Sequence, residues 1–329
     1  MILRSPHYQV IDGFRRSAIV QPDILRKALK FTPAKGDVIQ MSYPKCGTHW
    51  MQYLTLLVLN DGRPIRTYQE FASSGRSLEY AGVEGWQPHN GERTLPYRAV
   101  LTHLDPPRKK NLNADAKYVY VARNPWDCCV SFYHHVSNLS PFRFQDGTFD
   151  EFLDSFLRGD FGYGDYFDHL LAGYVLKEEP NVLFVTYEQL KRDTRSVVLK
   201  LAYFLDERYG RALETDQYLL RTLLERSTVE KMKDVLVLDF KGEENPAMNG
   251  LFKGRQVYAK VGYRGDKSKY SFVRKGVIGG WREHFTKRQL QKMDARITEK
   301  TSGSDVMDLW ADIVGETKNA MEGGEYSRA

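Results

Sequence analysis

Four short apolar runs stand out along the chain, at Asp37–Ser42, Arg98–Thr102, Lys117–Ala122 and Val182–Thr186. They are rich in Val, Ile and aromatic residues, and helical patterns lie between them. Apolar runs of this length, separated by helices, suit strands covered on both faces. The pattern therefore predicts βαβ units and a parallel β-sheet flanked by helices. One helix is predicted from His49 to about Leu59, directly after the turn Tyr43-Pro44-Lys45-Cys46-Gly47-Thr48. A second starts at Asn124-Pro125 and runs to about Asn138, because proline lacks the amide that an N1 residue leaves unpaired. Asp61–Tyr97, Leu139–Thr148 and Leu236–Lys269 read as loops, long enough to be functional. Near the carboxyl ends of the strands they would form the walls of a ligand pocket. Residues 1–300 read as a single α/β domain, and the polar, glycine-ended stretch Thr301–Ala329 reads as a frayed tail.

At 329 residues, 42% hydrophobic and 13% aromatic, the chain has the makings of a globular protein with a large core. The formal charge of +6 favours an anionic partner: nucleic acid, an acidic membrane or a polyphosphorylated cofactor. The basic residues are scattered, with no Lys/Arg run longer than Arg108-Lys109-Lys110, which argues against nucleic acid. Cys46, Cys128 and Cys129 make no disulfide framework and show no metal-ligand spacing, so no metal is expected and a reducing compartment is. Met1–Val10 lacks a signal-like apolar stretch, and no run approaches the roughly 18 apolar residues of a membrane span. A cytoplasmic protein without a membrane partner is the expectation.

The candidate chemistry begins at Val38–Trp50, where a strand feeds a loop with a lysine, a glycine and a threonine, and a helix starts at once. Amides at such a turn, with the helix dipole, hold a phosphate. This is not a Walker A loop, since Lys45 precedes the only glycine. On its own the turn also fits an ordinary βα connection with an exposed lysine.

The wider pattern changes that balance. Tyr43-Pro44-Lys45-Cys46-Gly47-Thr48-His49-Trp50 resembles the 5′-phosphosulfate loop, YPKSGTTW, of the cytosolic sulfotransferases. Val121-Ala122-Arg123-Asn124-Pro125-Trp126-Asp127 with Ser131 resembles their 3′-phosphate motif. Phe272-Val273-Arg274-Lys275-Gly276 with Gly279 and Trp281 resembles their RKGxxGxW signature. All three occur in the family's order. Gly147-Thr148-Phe149-Asp150 with Phe152, and Tyr163-Gly164 with His169, extend the likeness over roughly residues 30 to 290.

The resemblance implies a P-loop-like α/β fold and transfer of a sulfuryl group from 3′-phosphoadenosine-5′-phosphosulfate (PAPS) to a hydroxyl, without a metal. It assigns Lys45, Cys46, Gly47, Thr48 and His49 to the 5′ end of the cofactor. Arg123, Ser131, Arg274, Lys275 and Gly276 go to the 3′-phosphate, and Trp50, Tyr187 and Ser227 to the adenosine. His103, within Thr102-His103-Leu104 at the end of a strand, takes the place of the family's catalytic base, and Lys45 that of its electrostatic catalyst. A lone histidine there is more often structural; the company of the other motifs gives this one its role.

The acceptor is read from aromatic and helical geometry. Tyr80, Trp86, Phe142 and Phe144 crowd the expected walls, which suits a phenol, catecholamine, steroid or other lipophilic alcohol, and a small aromatic acceptor, phenol or catecholamine-like, is the expectation. His135 and Leu139 lie four and eight residues beyond Ser131, hence on its helical face. Departures from the family pattern fall at Cys46, His49, Val229, Leu101 and Gly280. The dimerisation motif KxxxTVxxxE is not recognisable between Trp281 and Arg296, which leaves a homodimer open. A P-loop kinase or NTPase, or a non-catalytic nucleotide-binding protein, are the competing readings. The first lacks the Walker A order, and turnover would exclude the second.

Overall fold

The computed structural model describes residues 4–88, 95–239 and 269–323. Its centre is a parallel sheet of five strands: β3 (Asp37–Met41), β4 (Gly75–Ser77), β5 (Arg98–Thr102), β6 (Lys117–Ala122) and β7 (Val182–Thr186), in the order β4-β5-β3-β6-β7. The four runs expected to be strands are β3, β5, β6 and β7. Before the sheet comes an antiparallel hairpin of β1 (Tyr8–Ile11) and β2 (Phe14–Ser17), and after it β8 (Val237–Asp239) pairs antiparallel with β9 (Lys269–Ser271).

Alternate residues of the buried strands feed two cores, one on each face. Val38, Ala99, Val119 and Val121 pack towards the helix Thr48–Leu59, while Ile39, Val100, Tyr118 and Tyr120 join the opposite cluster. The Thr48–Leu59 helix is buried along all but one position. Its polar Thr55 is satisfied by accepting a hydrogen bond from Gln40 Nε2 at 2.7 Å. At the lower edge, Arg98 donates to both oxygens of buried Asp37 at 2.6 and 2.9 Å, locking β5 beside β3. The parallel register, with Met41 opposite Thr102 and Tyr120, sets the carboxyl ends of β3, β5 and β6 side by side, which is where the site forms.

Three sequence expectations are corrected. Asp61–Tyr97 is not one loop: it contains the helix Tyr68–Ser74, strand β4 and the helical turn Leu78–Ala81. Thr67 starts the first helix by accepting from the Glu70 amide, and a three-residue strand is too short to leave an apolar signature. Leu139–Thr148 holds a 3₁₀ turn, Ser140–Phe142, and its aromatics Phe142 and Phe144 are wholly buried in the core. The tail is not frayed over most of its length. Val306–Trp310 is a 3₁₀ turn and Ala311–Glu322 a helix, with buried Trp310 donating from Nε1 to Glu188 at 2.6 Å. A buried indole with its N–H satisfied holds that segment down. Of Leu236–Lys269, residues 240–268 lie outside the described ones.

Candidate active site

The turn after β3 is shaped by backbone conformations that few residues adopt. Lys45 sits at φ 72° and Gly47 at φ 100°, the latter immediately before the helix Thr48–Leu59. A Cβ on Gly47 would come within 2.8 Å of the Tyr187 ring, so glycine is required by both conformation and contact. The turn aims its amides and Lys45 into a cavity of about 450 Å³. No described carboxylate pairs with Lys45. Burial, then the neighbouring Arg123, push its ammonium down to about 8.

Arg123 leaves the end of β6 into the same cavity. Its Nη1 and Nη2 donate to the carbonyls of Lys45 and Val277, both at 3.2 Å, and its guanidinium stacks on Tyr187 at 4.2 Å. Its Nε is buried without a partner. Arg274 also borders the cavity, with its pKa lowered by burial and by Arg123. Two guanidiniums and an ammonium that form no ion pair among the described residues, with Asp127 and Glu188 acting on Arg123 only at longer range, can hold a doubly anionic ligand. Lys275 also borders the cavity but is engaged by Glu283 at 2.7 Å.

Two buried carboxylates hold this arrangement from behind. Asp127, in the first turn of the helix Pro125–Asn138, accepts from the amides of Gly279 at 2.8 Å and Trp281 at 3.0 Å. The chain carrying Arg274 and Gly276 is thereby pinned to the helix carrying Ser131. Glu188 accepts from the amide and side chain of Asn124 and from Trp310, so the C-terminal turn braces the arginine strand end.

His103 follows β5, on the other side of β3. Its Nδ1 lies 2.9 Å from the Ser42 carbonyl, which can only accept. Nδ1 therefore carries the proton and Nε2 the lone pair. Burial lowers this imidazole to about 4; the Ser42 carbonyl opposes the shift and Lys45 adds to it. The ring is neutral at physiological pH. Its backbone amide donates to Oε1 of Glu79 at 2.8 Å, and Glu79 is itself 2% exposed and raised to about 7 by burial. Tyr80 and Tyr163 set their edges against the His103 ring, and a hydroxyl chain joins Tyr80, Tyr163 and Ser17 at 3.0 and 2.8 Å.

The contact of Glu79 with the His103 amide can be tested by mutation. Glu79→Leu orphans a buried amide, a loss of about 1–3 kcal/mol. We expect a kcat lowered by about tenfold with KM for PAPS unchanged, and restoration by Glu79→Gln, which keeps an acceptor oxygen. Equal kcat in Glu79→Leu and wild type would remove Glu79 from the positioning of His103.

The cavity gathers Lys45, Gly47, Thr48, His49, Trp50, Arg123, Ser131, Tyr187, Arg274, Lys275 and Gly276 with His103, His135, Leu139 and Tyr80. Four expected site residues lie elsewhere. Cys46 is buried, with its sulfur 3.7 Å from that of Cys128. Ser227 is buried and donates to the Leu224 carbonyl. Phe142 belongs to the core, and buried Trp86 donates its indole N–H to the Ser73 carbonyl at 3.2 Å. His49 does face the cavity, stacked between Phe272 at 4.2 Å and Phe71 at 5.8 Å. Burial lowers its imidazole to about 3, so it is neutral. His135 meets the Tyr270 hydroxyl at 2.6 Å. Sequence reasoning missed Arg76, Glu79 and Phe71, none of which stands in a recognisable motif, and it noted Tyr163 only as part of the family likeness, without its cavity face.

Residues 35–305 match the sulfotransferase domain family. The chain belongs to the sulfotransferase family. It is thus a PAPS-dependent transferase that moves a sulfuryl group to a hydroxyl acceptor. Among relatives of this sulfotransferase, mouse (Mus musculus) sulfotransferase 1B1 is 30% identical over 282 residues, covering 84% of this chain and 86% of that protein. The 3-alpha-hydroxysteroid sulfotransferase of Cavia porcellus is 31% identical over 287 residues, covering 86% and 90%. In fold, the sulfotransferase is similar to mouse SULT7A1 complexed with PAP (TM-score 0.66, 24% identity, 94% and 99% covered). It is also similar to retinol dehydratase in complex with androsterone and PAP (TM-score 0.63, 23% identity, 87% of each chain). Among its described residues no helix is long and apolar enough to cross a membrane.

Proposed function

We propose that this sulfotransferase sulfates the hydroxyl of a flat, largely apolar acceptor in the cytoplasm, with His103 as the base. The observation that carries the reading is the Ser42 carbonyl 2.9 Å from His103 Nδ1, which leaves Nε2 as a lone pair in the cavity that also holds Lys45 and Arg123. PAPS, when bound, supplies the sulfuryl group and takes away the bridging oxygen as part of its bisphosphate. The residues present fit it: Lys45, Arg123 and Arg274 border one cavity and form no ion pair among the described residues, and Arg123 has a buried donor to spare.

In this reading Lys45, Gly47 and Thr48 hold the 5′ end, and Lys45 offsets charge on the departing oxygen. Arg123, Ser131 and Arg274 hold the 3′-phosphate, with Trp50 and Tyr187 against the adenine. His103 Nε2 accepts the proton of the acceptor hydroxyl, while Ser42 steadies the imidazolium that results. Tyr68, Phe71, Tyr80, Tyr163, Leu139 and Phe272 supply flat apolar walls for the acceptor. The test is PAPS-dependent sulfation across phenols, hydroxysteroids and alkyl alcohols, beside the thermal shifts given by adenosine 3′,5′-bisphosphate and by ATP. Sulfation of a flat hydroxyl compound and a larger shift from the bisphosphate are expected. Equal shifts from the two nucleotides, with no sulfated product, would overturn the reading.

A further inference from the structure

Among the described residues that border the cavity, Arg76 is the one cation that neither the proposed PAPS site nor a described ion pair uses. The strand order β4-β5-β3-β6-β7 sorts the site across the sheet: Lys45 follows β3, Arg123 follows β6 and Tyr187 follows β7, whereas His103 follows β5. Arg76 stands on β4, the outer strand beyond His103. With neighbouring strands about 4.8 Å apart, β4 lies about 14 Å across the sheet from the strand of Arg123 and about 10 Å from that of Lys45. Arg76 is therefore on the acceptor side.

Arg76 borders the cavity with its guanidinium under-used. It reaches the Gly82 carbonyl only at 3.4 Å and lies 5.7 Å from the centre of the Trp86 ring. No described carboxylate pairs with it. Among the described residues that border the cavity none is Asp or Glu, so an ammonium group on an acceptor finds no counter-ion on this wall and a cation facing it. A carboxylate finds a planar donor fork of matching geometry.

We propose that the preferred acceptor carries an anionic group, such as a carboxylate, distal to its hydroxyl, and that Arg76 binds it. This rests on the sulfotransferase reading of His103 and names the acceptor class of that same cavity. The catecholamine-like acceptor suggested by the aromatic residues is the less favoured one on this account.

The experiment compares kcat/KM of the wild type for 4-hydroxyphenylacetate, 4-ethylphenol and tyramine, which differ chiefly in charge. A hydroxysteroid carboxylate and its methyl ester repeat the comparison on a larger skeleton. Wild type should favour the anion over the neutral compound by about 10–100-fold, and disfavour the amine. Arg76→Gln should bring the anion-to-neutral ratio to within about threefold, and Arg76→Glu should turn the preference towards tyramine. Ratios unchanged in both variants, or a wild type that prefers the neutral or cationic compound, would overturn the proposal. Bisphosphate binding and sulfation of the neutral compounds report separately on the sulfotransferase reading, so loss of those would sink that reading and not merely the role of Arg76.

Discussion

Replacing His103 with alanine should lower kcat by about 10²–10⁴-fold, the range of a general base, and leave adenosine 3′,5′-bisphosphate affinity nearly intact. The separation follows from the layout. His103 hangs from β5, whereas the residues proposed to hold the phosphates lie after β3 and β6 and beyond β9, and among the described residues its ring hydrogen-bonds to the Ser42 carbonyl. The pH profile supplies a second readout. A base must be neutral to work, and burial lowers the His103 imidazole to about 4. In the free enzyme the neutral fraction therefore falls only as pH drops towards 4, so the acid limb of kcat/KM lies well below the ordinary histidine value near 6.5. An anion bound beside the ring stabilises imidazolium, which places the limb of kcat above that of kcat/KM. Alanine at 103 should abolish the His103-dependent limb in both. Stopped assays from pH 4 to 9 measure this, and a variant retaining more than about a tenth of wild-type turnover would show that His103 is structural.

The second large effect is expected at Lys45. In the proposed reading Lys45→Met removes the ammonium that offsets charge on the departing oxygen, and it should lower kcat/KM for PAPS by about 10²–10³-fold, the usual loss on deleting one preorganised electrostatic donor. Its titration gives the sign of a further test. Burial and Arg123 disfavour the charged form, bringing the group down to about 8. As pH rises past that value the free enzyme loses the charge, and kcat/KM for PAPS should fall; in Lys45→Met this alkaline limb should be absent. Binding an anion restores the proton, so bisphosphate binding above pH 8 takes up protons. Calorimetry in buffers of different ionisation enthalpy detects that uptake. A wild-type profile flat to pH 10, or proton release on binding, would contradict the assignment.

Much of the cofactor half of the site was legible because it is local. Lys45, Gly47 and Thr48 lie within one strand-turn-helix unit, and Arg123 and Ser131 within another, so contiguous residues reveal both the element and its chemistry. The acceptor half is assembled differently. Tyr163, Phe71, Arg76 and Phe272 come from separate segments and meet only when the chain is folded. An aromatic residue in such a segment carries no mark of its destination: Tyr80 reached the cavity, while Phe142 and Trp86 went into the core. Likewise the serine-to-cysteine change at Cys46 looked like an altered phosphate ligand, but its side chain turns inward to Cys128.

Sequence alone determined the parallel sheet, because strands buried on both faces must be apolar at successive positions, and the family, because three motifs recur in its order along the chain. It also placed His103 at a strand end. Only tertiary structure decided which nitrogen of His103 bears the lone pair, since that depends on the Ser42 carbonyl 61 residues away. It decided too that Glu79 accepts from the His103 amide, that Trp310 braces Glu188 across 122 residues, and that Arg76 borders the cavity with no ion pair among the described residues. Each depends on groups distant in sequence being brought together by packing, and their interaction depends on distance and burial, neither of which a linear pattern contains.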